Sequence, residues 1–574
     1  MLKKFLLVLI ITPLFSFGQI YFENDAIQQN IECVFKGTTM FGGGVSFCDF
    51  NGDGWDDISF TTANGDSLAF YQNNQGVFSK VNLGIGDTSN IKQINWVDID
   101  NDGDKDLFFN GLNGAVLYEN QGNMQLIDIT LISGITATIN DGYGASWGDY
   151  NNDGFLDVYL SNRVEDGVTS NVLCQNNGNN TFTDVTLAAG LNDTNSFSFC
   201  AAWFDFNNDG WQDIYSTTDK YSHSNKLYKN NQDGTFTDVS VGSNTSIFMD
   251  AMCATVEDYN ADGWLDFYVT NTAGGNILLK NNGNETFTEN APAAGVAYNG
   301  VGWGAAFLDV DNDKDLDLYV SGMGVGAVHP SSILYENNGL GSYSVANNCG
   351  FEGDSVPSFG NAIGDFNNDG YFDIAVSNMD TNVHLWKNGG GSNNWIKILL
   401  TGTTSNRDGI GSWIKVYIDG VMQTRYTLCG ESYASQFSNS EIIGVGSALF
   451  IDSIEVVWLS GHVDKLYEVP TNQELNIVEN QLSVNVNNLD LSGKNGWEIF
   501  PNPSANNFLV RSNKANQIIN EVIIYDVNGK VSNHIKSVNL PELNINIEDI
   551  PNGTYFVKII SNEEATYKKL LITH

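Results

Sequence analysis

The chain is short of positive charge: 26 lysines and arginines face 68 aspartates and glutamates, a net charge of -42 over 574 residues. Nucleic acid and anionic membrane surfaces are recognised through basic patches, so neither is an expected partner. Because only 16% of residues are charged, the acidity has to be concentrated in particular places, and a cation becomes the partner to look for. Cysteine is sparse as well. The seven residues at 33, 48, 174, 200, 253, 349 and 429 form no close pairs, which argues against a zinc spacing and a disulfide scaffold. Cys200 and Cys253 lie five residues before a repeated Asp, where other copies carry Gly, and read as small buried residues. The six histidines are scattered, and no G-x-S-x-G elbow, H-E-x-x-H helix or phosphate-cradling glycine loop accompanies them. No catalytic constellation of nucleophile, base and orienting acid is legible. Long hydrophobic runs are absent downstream of the N-terminus, and a membrane-spanning helix needs about 20 apolar residues. The opening MLKKFLLVLIITPLFSFGQ has Lys3 and Lys4, a shorter apolar run and small residues near Gly18. That is the layout of a cleaved secretory signal over residues 1–18.

What the sequence does have is glycine (59 residues), asparagine and 12% aromatics, the mixture of a turn-rich all-β protein. One nine-residue pattern recurs seven times: DFNGDGWDD, DIDNDGDKD, DYNNDGFLD, DFNNDGWQD, DYNADGWLD, DVDNDKDLD and DFNNDGYFD. Position 1 is Asp49, Asp98, Asp149, Asp205, Asp258, Asp309 and Asp365, so the copies are 49 to 56 residues apart. Position 3 is Asn51, Asp100, Asn151, Asn207, Asn260, Asp311 and Asn367. Position 5 is Asp53, Asp102, Asp153, Asp209, Asp262, Asp313 and Asp369, and position 9 is Asp57, Asp106, Asp157, Asp213, Asp266, Asp317 and Asp373. Oxygens therefore fall on alternate residues of a tight loop, the donor set a hard cation such as calcium takes. Position 7 varies (Trp55, Asp104, Phe155, Trp211, Trp264, Asp315, Tyr371), as suits a residue that offers its carbonyl. Position 6 is Gly in six copies and position 4 is Gly, Asn or Ala, which predicts a sharp turn with left-handed backbone. In the sixth copy Lys314 replaces that Gly, and calcium is least expected there.

An EF-hand is excluded: its loop needs Glu at position 12 and flanking helices, whereas these loops lie between strand-like stretches such as ASWGDY before and DVYLSN after. Two further strands per repeat, at NVLCQN, NKLYKN or NILLKN and then at TFTDV or TFTEN, complete a four-stranded propeller blade. The seventh repeat lacks its last strand, while IYFEN at 20–24 has no blade of its own. The N-terminal segment is expected to supply the missing outer strand and close the ring.

These repeats resemble the FG-GAP/VCBS family, and the resemblance spans the seven-bladed β-propeller expected over residues 19–393. It implies one calcium per blade, held by the side chains at positions 1, 3, 5 and 9 and the carbonyl at 7. Residues 394–479 form a small antiparallel β domain that resembles ASPIC/UnbV through Asn406-Arg407-Asp408-Gly409-Ile410-Gly411, Ser432-Tyr433 with Ser435-Gln436, and Val457-Trp458. Arg407, Ser432 and Gln436 there are either a polar binding patch or turn and capping residues. A linker over 480–496 leads to a β-sandwich over 497–574. The sandwich looks like the C-terminal sorting domain of the type IX secretion system, judged by FPNP, YDVNGK with its Asn528-Gly529 turn, NGTYFVKI and the basic-apolar tail. That resemblance implies export to the cell surface or medium, with the type IX machinery as a partner. Three roles follow: a calcium-stabilised module binding glycans or proteins, a polysaccharide-degrading enzyme, or a structural spacer.

Overall fold

The computed structural model describes residues 20–574 apart from 37–40, 64, 87–89, 136–140, 165–169, 192–195, 273, 325–331, 352, 482–496, 513–516, 527–530, 537, 549 and 562–563. The expected secretory signal, most of the linker and the Asn528-Gly529 turn lie outside the described residues. Seven antiparallel sheets form a closed ring. Their innermost strands are Val45–Cys48, Ile91–Val97, Gly142–Gly148, Ala201–Phe204, Phe248–Glu257, Val301–Leu308 and Ser358–Gly364. Each touches the next, and the last touches the first. Burial falls outward through a blade: in the third, Gly142–Gly148 and Asp157–Asn162 are wholly buried, while Phe182–Asp184 buries only its Phe. That gradient explains why the outer strands read TFTDV, with one apolar anchor among polar residues. The fifth sheet gains an unpredicted strand, Asp219–Ser224, paired with Phe248–Glu257.

The ring closes as expected. Phe22–Asn24 pairs antiparallel with His384–Asn388 as the outer strand of the seventh blade. Phe22 is 0% exposed and stacks on Phe351 with ring centroids 5.0 Å apart. Its cluster joins Leu308 and Tyr319 of the sixth blade to Ile374 and Trp386 of the seventh, so the N-terminal strand is part of the core as well as of the sheet.

Blades are also tied by side-chain amides. The third strand of every blade ends in Asn, and Asn176 Nδ2 donates to the Ile99 carbonyl of the preceding blade (2.8 Å). Asn230 to Tyr150, Asn281 to Phe206, Asn388 to Val310 and Asn73 to Phe366 repeat the bond around the ring. At loop position 4, Asn101, Asn152, Asn208, Asn312 and Asn368 donate to the position-6 carbonyl of the next blade.

Residues 394–479 form two packed sheets, of three and four strands, around Ile396, Ile414, Val416, Ile454 and Trp458. One pairing departs from the expected antiparallel pattern: Asn394–Thr401 and Gln473–Val478 run parallel. These are the first and last strands of the unit, and the chain between them is long enough for the crossover a parallel pair requires.

This unit is not a separate body. Its segment 428–438 runs into the axial channel of the propeller. Trp147 N–H donates to the Cys429 carbonyl (2.9 Å), Phe47 N–H to the Gln436 carbonyl (2.9 Å) and Gln436 N–H to the Val45 carbonyl (3.0 Å). The Gln436 side chain pairs like a strand, accepting from Trp96 N–H (2.8 Å) and donating to the Trp96 carbonyl (2.8 Å). The segment turns at Ser432 and Ala434, whose φ values are 54° and 50°. Tyr433 and Ala434 pack among Tyr143, Phe199, Cys200, Cys253, Trp303 and Phe359, and Tyr433 Oη donates to the Phe41 carbonyl (2.6 Å). The small residues five places before the repeated Asp make room for this insertion. A Cβ on Gly44 would lie 1.5 Å from the Ala434 carbonyl oxygen, and one on Gly360 2.5 Å from that of Tyr433.

Residues 497–574 form two sheets, of three and four strands, sharing a core of Phe508, Val510, Val522, Val557 and Ile559, the expected sandwich.

Two substitutions test the closure and the insertion. Truncating a buried Phe costs about 3–5 kcal/mol, so Phe22→Ala is expected to lower the propeller melting transition by several degrees. Tyr21→Ala, at a position 50% exposed, leaves it nearly unchanged. Gly44→Leu blocks the channel, and limited proteolysis is expected to cut within 428–438, a segment whose residues 432–436 are buried in the parent protein.

Candidate metal loops

Each acidic loop is a hairpin connection between the first two strands of its blade, with position 9 opening the second strand: Gly148 pairs with Asp157 and Gly364 with Asp373. The backbone turns as the sequence predicts. Position 4 holds φ between 54° and 72° in all seven copies and position 6 between 83° and 102°. Position-1 carboxylates fix this turn: Asp205 accepts from Asp209 N–H (3.0 Å) and Gly210 N–H (2.7 Å). Position 5 steadies the exit, Asp209 Oδ1 accepting from Trp211 N–H (3.0 Å). Position 9 bridges blade layers. Asp213 accepts from Phe206 N–H (3.1 Å) at position 2 and from Asn230 N–H (2.8 Å) at the end of the third strand.

Exposure is graded along the loop. Position 9 is buried in every copy, position 1 in all but Asp49, position 3 is partly buried and position 5 exposed. In six blades two carboxylates thus sit inside the fold, with a third opening to solvent. Burial pushes Asp57 and Asp106 up to about 8, and raises Asp157, Asp213, Asp266, Asp317 and Asp373 well above the carboxylate range. At position 1, burial raises Asp149 to about 7 and Asp205 and Asp365 to about 6. Charged side chains cost free energy when buried without compensation, so each blade offers a place where a cation would be stabilised.

The fit to a hard divalent ion is closest in two copies. Carboxylate oxygens of Asp98, Asp100 and Asp106 lie within 4.8 Å of one another, as do those of Asp309, Asp311 and Asp317. Asp98 Oδ1 is buried with no hydrogen-bond partner. The second cluster is in the copy with Lys314. There Lys314 takes φ 92° and donates its N–H to Asp309 Oδ2 (3.0 Å), as Gly does elsewhere, and its side chain leads away toward Gly446. The loop shape therefore survives the substitution. In the other five copies position 3 is Asn, and its amide serves the loop itself: Asn151, Asn207 and Asn367 donate to the position-5 carboxylate, Asn260 donates to Asp266, and the Asn51 oxygen accepts from Asp53 N–H. At position 7, Phe155 covers Gly178 and Trp264 covers Gly283.

The loop face carries residues 394–479. Thr424 Oγ1 donates to Asp258 Oδ2 (2.8 Å), Asp98 N–H donates to Asp408 Oδ2 (3.3 Å), Lys397 Nζ donates to Asn368 Oδ1 (2.7 Å), and Lys105 pairs with Asp408. The sequence reading of Arg407, Ser432 and Gln436 divides here. Ser432 and Gln436 are 1% exposed inside the channel and make no surface patch, because the segment that bears them is swallowed by the propeller. Arg407 lies at the loop face of the second blade. The third-strand Asn residues escaped the sequence reading, although every third strand quoted above ends in one.

A family model described as FG-GAP-like repeat matches residues 49–109, 98–160, 205–269 and 258–320. ASPIC and UnbV matches 402–484, and Secretion system C-terminal sorting domain matches 498–573. Cartilage acidic protein 1 of Homo sapiens is 25% identical over 337 residues, 52% of this chain and 49% of that protein. Its Xenopus tropicalis counterpart is 27% identical over 335 residues, 52% and 50% of the two chains. The chain thus spans about half the length of these curated relatives. Among solved structures, an Agrocybe aegerita lectin described for recognition of non-reducing terminal N-acetylglucosamine aligns at 16% identity and TM-score 0.38, over 60% of this chain and 87% of that one. The V. cholerae biofilm matrix protein Bap1 aligns at 13% identity and TM-score 0.28, over 94% and 88%. Neither likeness bears on function. The chain is built of FG-GAP-like repeats, an ASPIC and UnbV domain and a C-terminal sorting domain, and is a type IX secretion substrate carried to the cell surface or the medium.

Proposed function

We propose that the seven loops bind calcium, one ion per blade, and that the protein is a calcium-stabilised module at the cell surface or in the medium that binds glycans or proteins. The observation that carries the calcium reading is the paired burial of position-1 and position-9 carboxylates with position 5 left open to solvent. Such a pocket disfavours bare charge and favours charge matched by a cation. In each blade the holders are the side chains at positions 1, 3, 5 and 9 and the carbonyl at position 7. The sixth copy is included, since its backbone keeps the turn. The module reading is supported by the export domain and by the absence of a catalytic motif from the sequence. A glycan and protein array in millimolar calcium tests it. Depolymerisation of an acidic polysaccharide by the purified protein would replace it with the enzymatic reading.

Ion binding to the native state alone raises stability by mass action. Chelation and dialysis are therefore expected to lower the melting temperature by ten degrees or more, and added calcium to restore it. The pH dependence of the metal-free form has a definite sign. Carboxylates raised to about 7 or 8 in the fold bind protons there that the unfolded chain has already released. Their contribution is favourable at low pH and is lost as pH rises through the folded values. The metal-free protein should melt lower at pH 8 than at pH 6, and calcium should remove most of that difference.

A further inference from the structure

Between the propeller and the ASPIC and UnbV domain lies a cleft of about 490 Å³, within the range of roughly 300–1,000 Å³ typical of small-molecule sites, which favour domain interfaces. Its floor is the loops of the first two blades, and its opposite wall is the strand Asn394–Thr401 with Arg407 and Asn476. Most of the lining side chains are polar or charged, so a wholly apolar ligand is a poor match. Three features of those groups define a better one.

The first is a free cation. Lys105 pairs with Asp408, and Lys397 is spent on Asn368 and stands 4.0 Å from Asp365. The Arg407 guanidinium has no hydrogen-bond or ion-pair partner among the described residues; its backbone N–H donates to Asn101 Oδ1 (2.7 Å) and its carbonyl accepts from Gly402 N–H (3.0 Å). It lies over the turn of the second loop, 3.5 Å from where a Cβ on Gly103 would be. The second feature is a set of orphan acceptors. Asp98 Oδ1, Asp104 Oδ1 and Asn120 Oδ1 line the same cleft, buried and without partners. Asp98 and Asn120 are 2% and 3% exposed. An unpaired buried acceptor costs about 1–3 kcal/mol, so a ligand bringing hydroxyl donors is favoured. Third, the cleft is bordered by Asp49, Asp56, Asp408 and Glu474, which would repel a polyanion.

We infer that this cleft is a binding site for an acidic saccharide, with a sugar carboxylate on the Arg407 guanidinium and ring hydroxyls donating to Asp104 and Asn120. A planar guanidinium matches a carboxylate in bidentate fashion. One carboxylate satisfies the single free cation, whereas a sulfated or phosphorylated chain meets the bordering acids. Asp98 Oδ1 is left for the cation of its own loop. This site rests on the glycan-binding module proposed above and specifies its ligand.

The test uses the full secreted chain in calcium, titrated calorimetrically with a trisaccharide carrying a single galacturonate, its methyl ester and a multiply sulfated disaccharide. The uronate should bind at least tenfold more tightly than either of the others. Arg407→Ala should weaken it at least tenfold while the calcium-loaded melting temperature stays within a few degrees. Asn123, exposed at the cleft edge, supplies a second variant safe for folding: Asn123→Asp should weaken the uronate several-fold. Equal binding of uronate and ester, tighter binding of the sulfated sugar, or uronate affinity unchanged in both variants would overturn the cleft assignment and leave the module reading standing. A protein that binds no glycan or protein on the array would overturn the module reading itself.

Discussion

Two aspartates paired at one end of every blade, both buried in six of the seven, are the constraint around which the propeller is organised. The position-1 carboxylate holds the backbone turn, and the position-9 carboxylate receives N–H groups from position 2 and from the third strand, as Asp205 and Asp213 do. The same oxygens are desolvated strongly enough that burial lifts Asp57 and Asp106 to about 8. A cation would turn that cost into cohesion, because seven ions would lock seven turns whose asparagines already link each blade to the next. Acidity in this chain is therefore local: it is structural at the loops and says little about the rest of the surface.

The second determinant is the insertion of 428–438 into the channel. It fills the axis with Tyr433 and Ala434 and lays backbone bonds on the innermost strands. A ligand site on the axis is closed off by this arrangement. The loop face, in turn, is occupied by the inserted domain, so the turns and the domain brace one another through Asp98, Asp258 and Asn368. Access to the loops remains from the side, through position 5 and through the cleft beside Arg407.

Much of this was legible in the chain. Periodic acidic loops between alternating strands dictated the blades, and the missing outer strand of the seventh repeat together with the orphan IYFEN dictated closure. What escaped was tertiary. Gly44 and Gly360, with Cys200 and Cys253 in equivalent places, recur in the sequence without announcing that another domain needs their space. Gln436 reads as an ordinary polar residue until its amide is seen pairing with Trp96. The parallel pairing of Asn394–Thr401 with Gln473–Val478 was also hidden, because alternation of apolar residues marks a strand but not its direction or partner. Nor does the sequence show that the loop keeps its turn at Lys314, where the backbone supplies the N–H that Gly supplies elsewhere.

The central claim is that the buried carboxylate pairs are cation sites. Calcium counted per chain by plasma mass spectrometry, after exhaustive dialysis and re-equilibration with trace free calcium, tests it most directly. The account predicts seven ions per chain, one for each repeat, with the sixth loop filled like the rest. A folded protein that retains no calcium would contradict it.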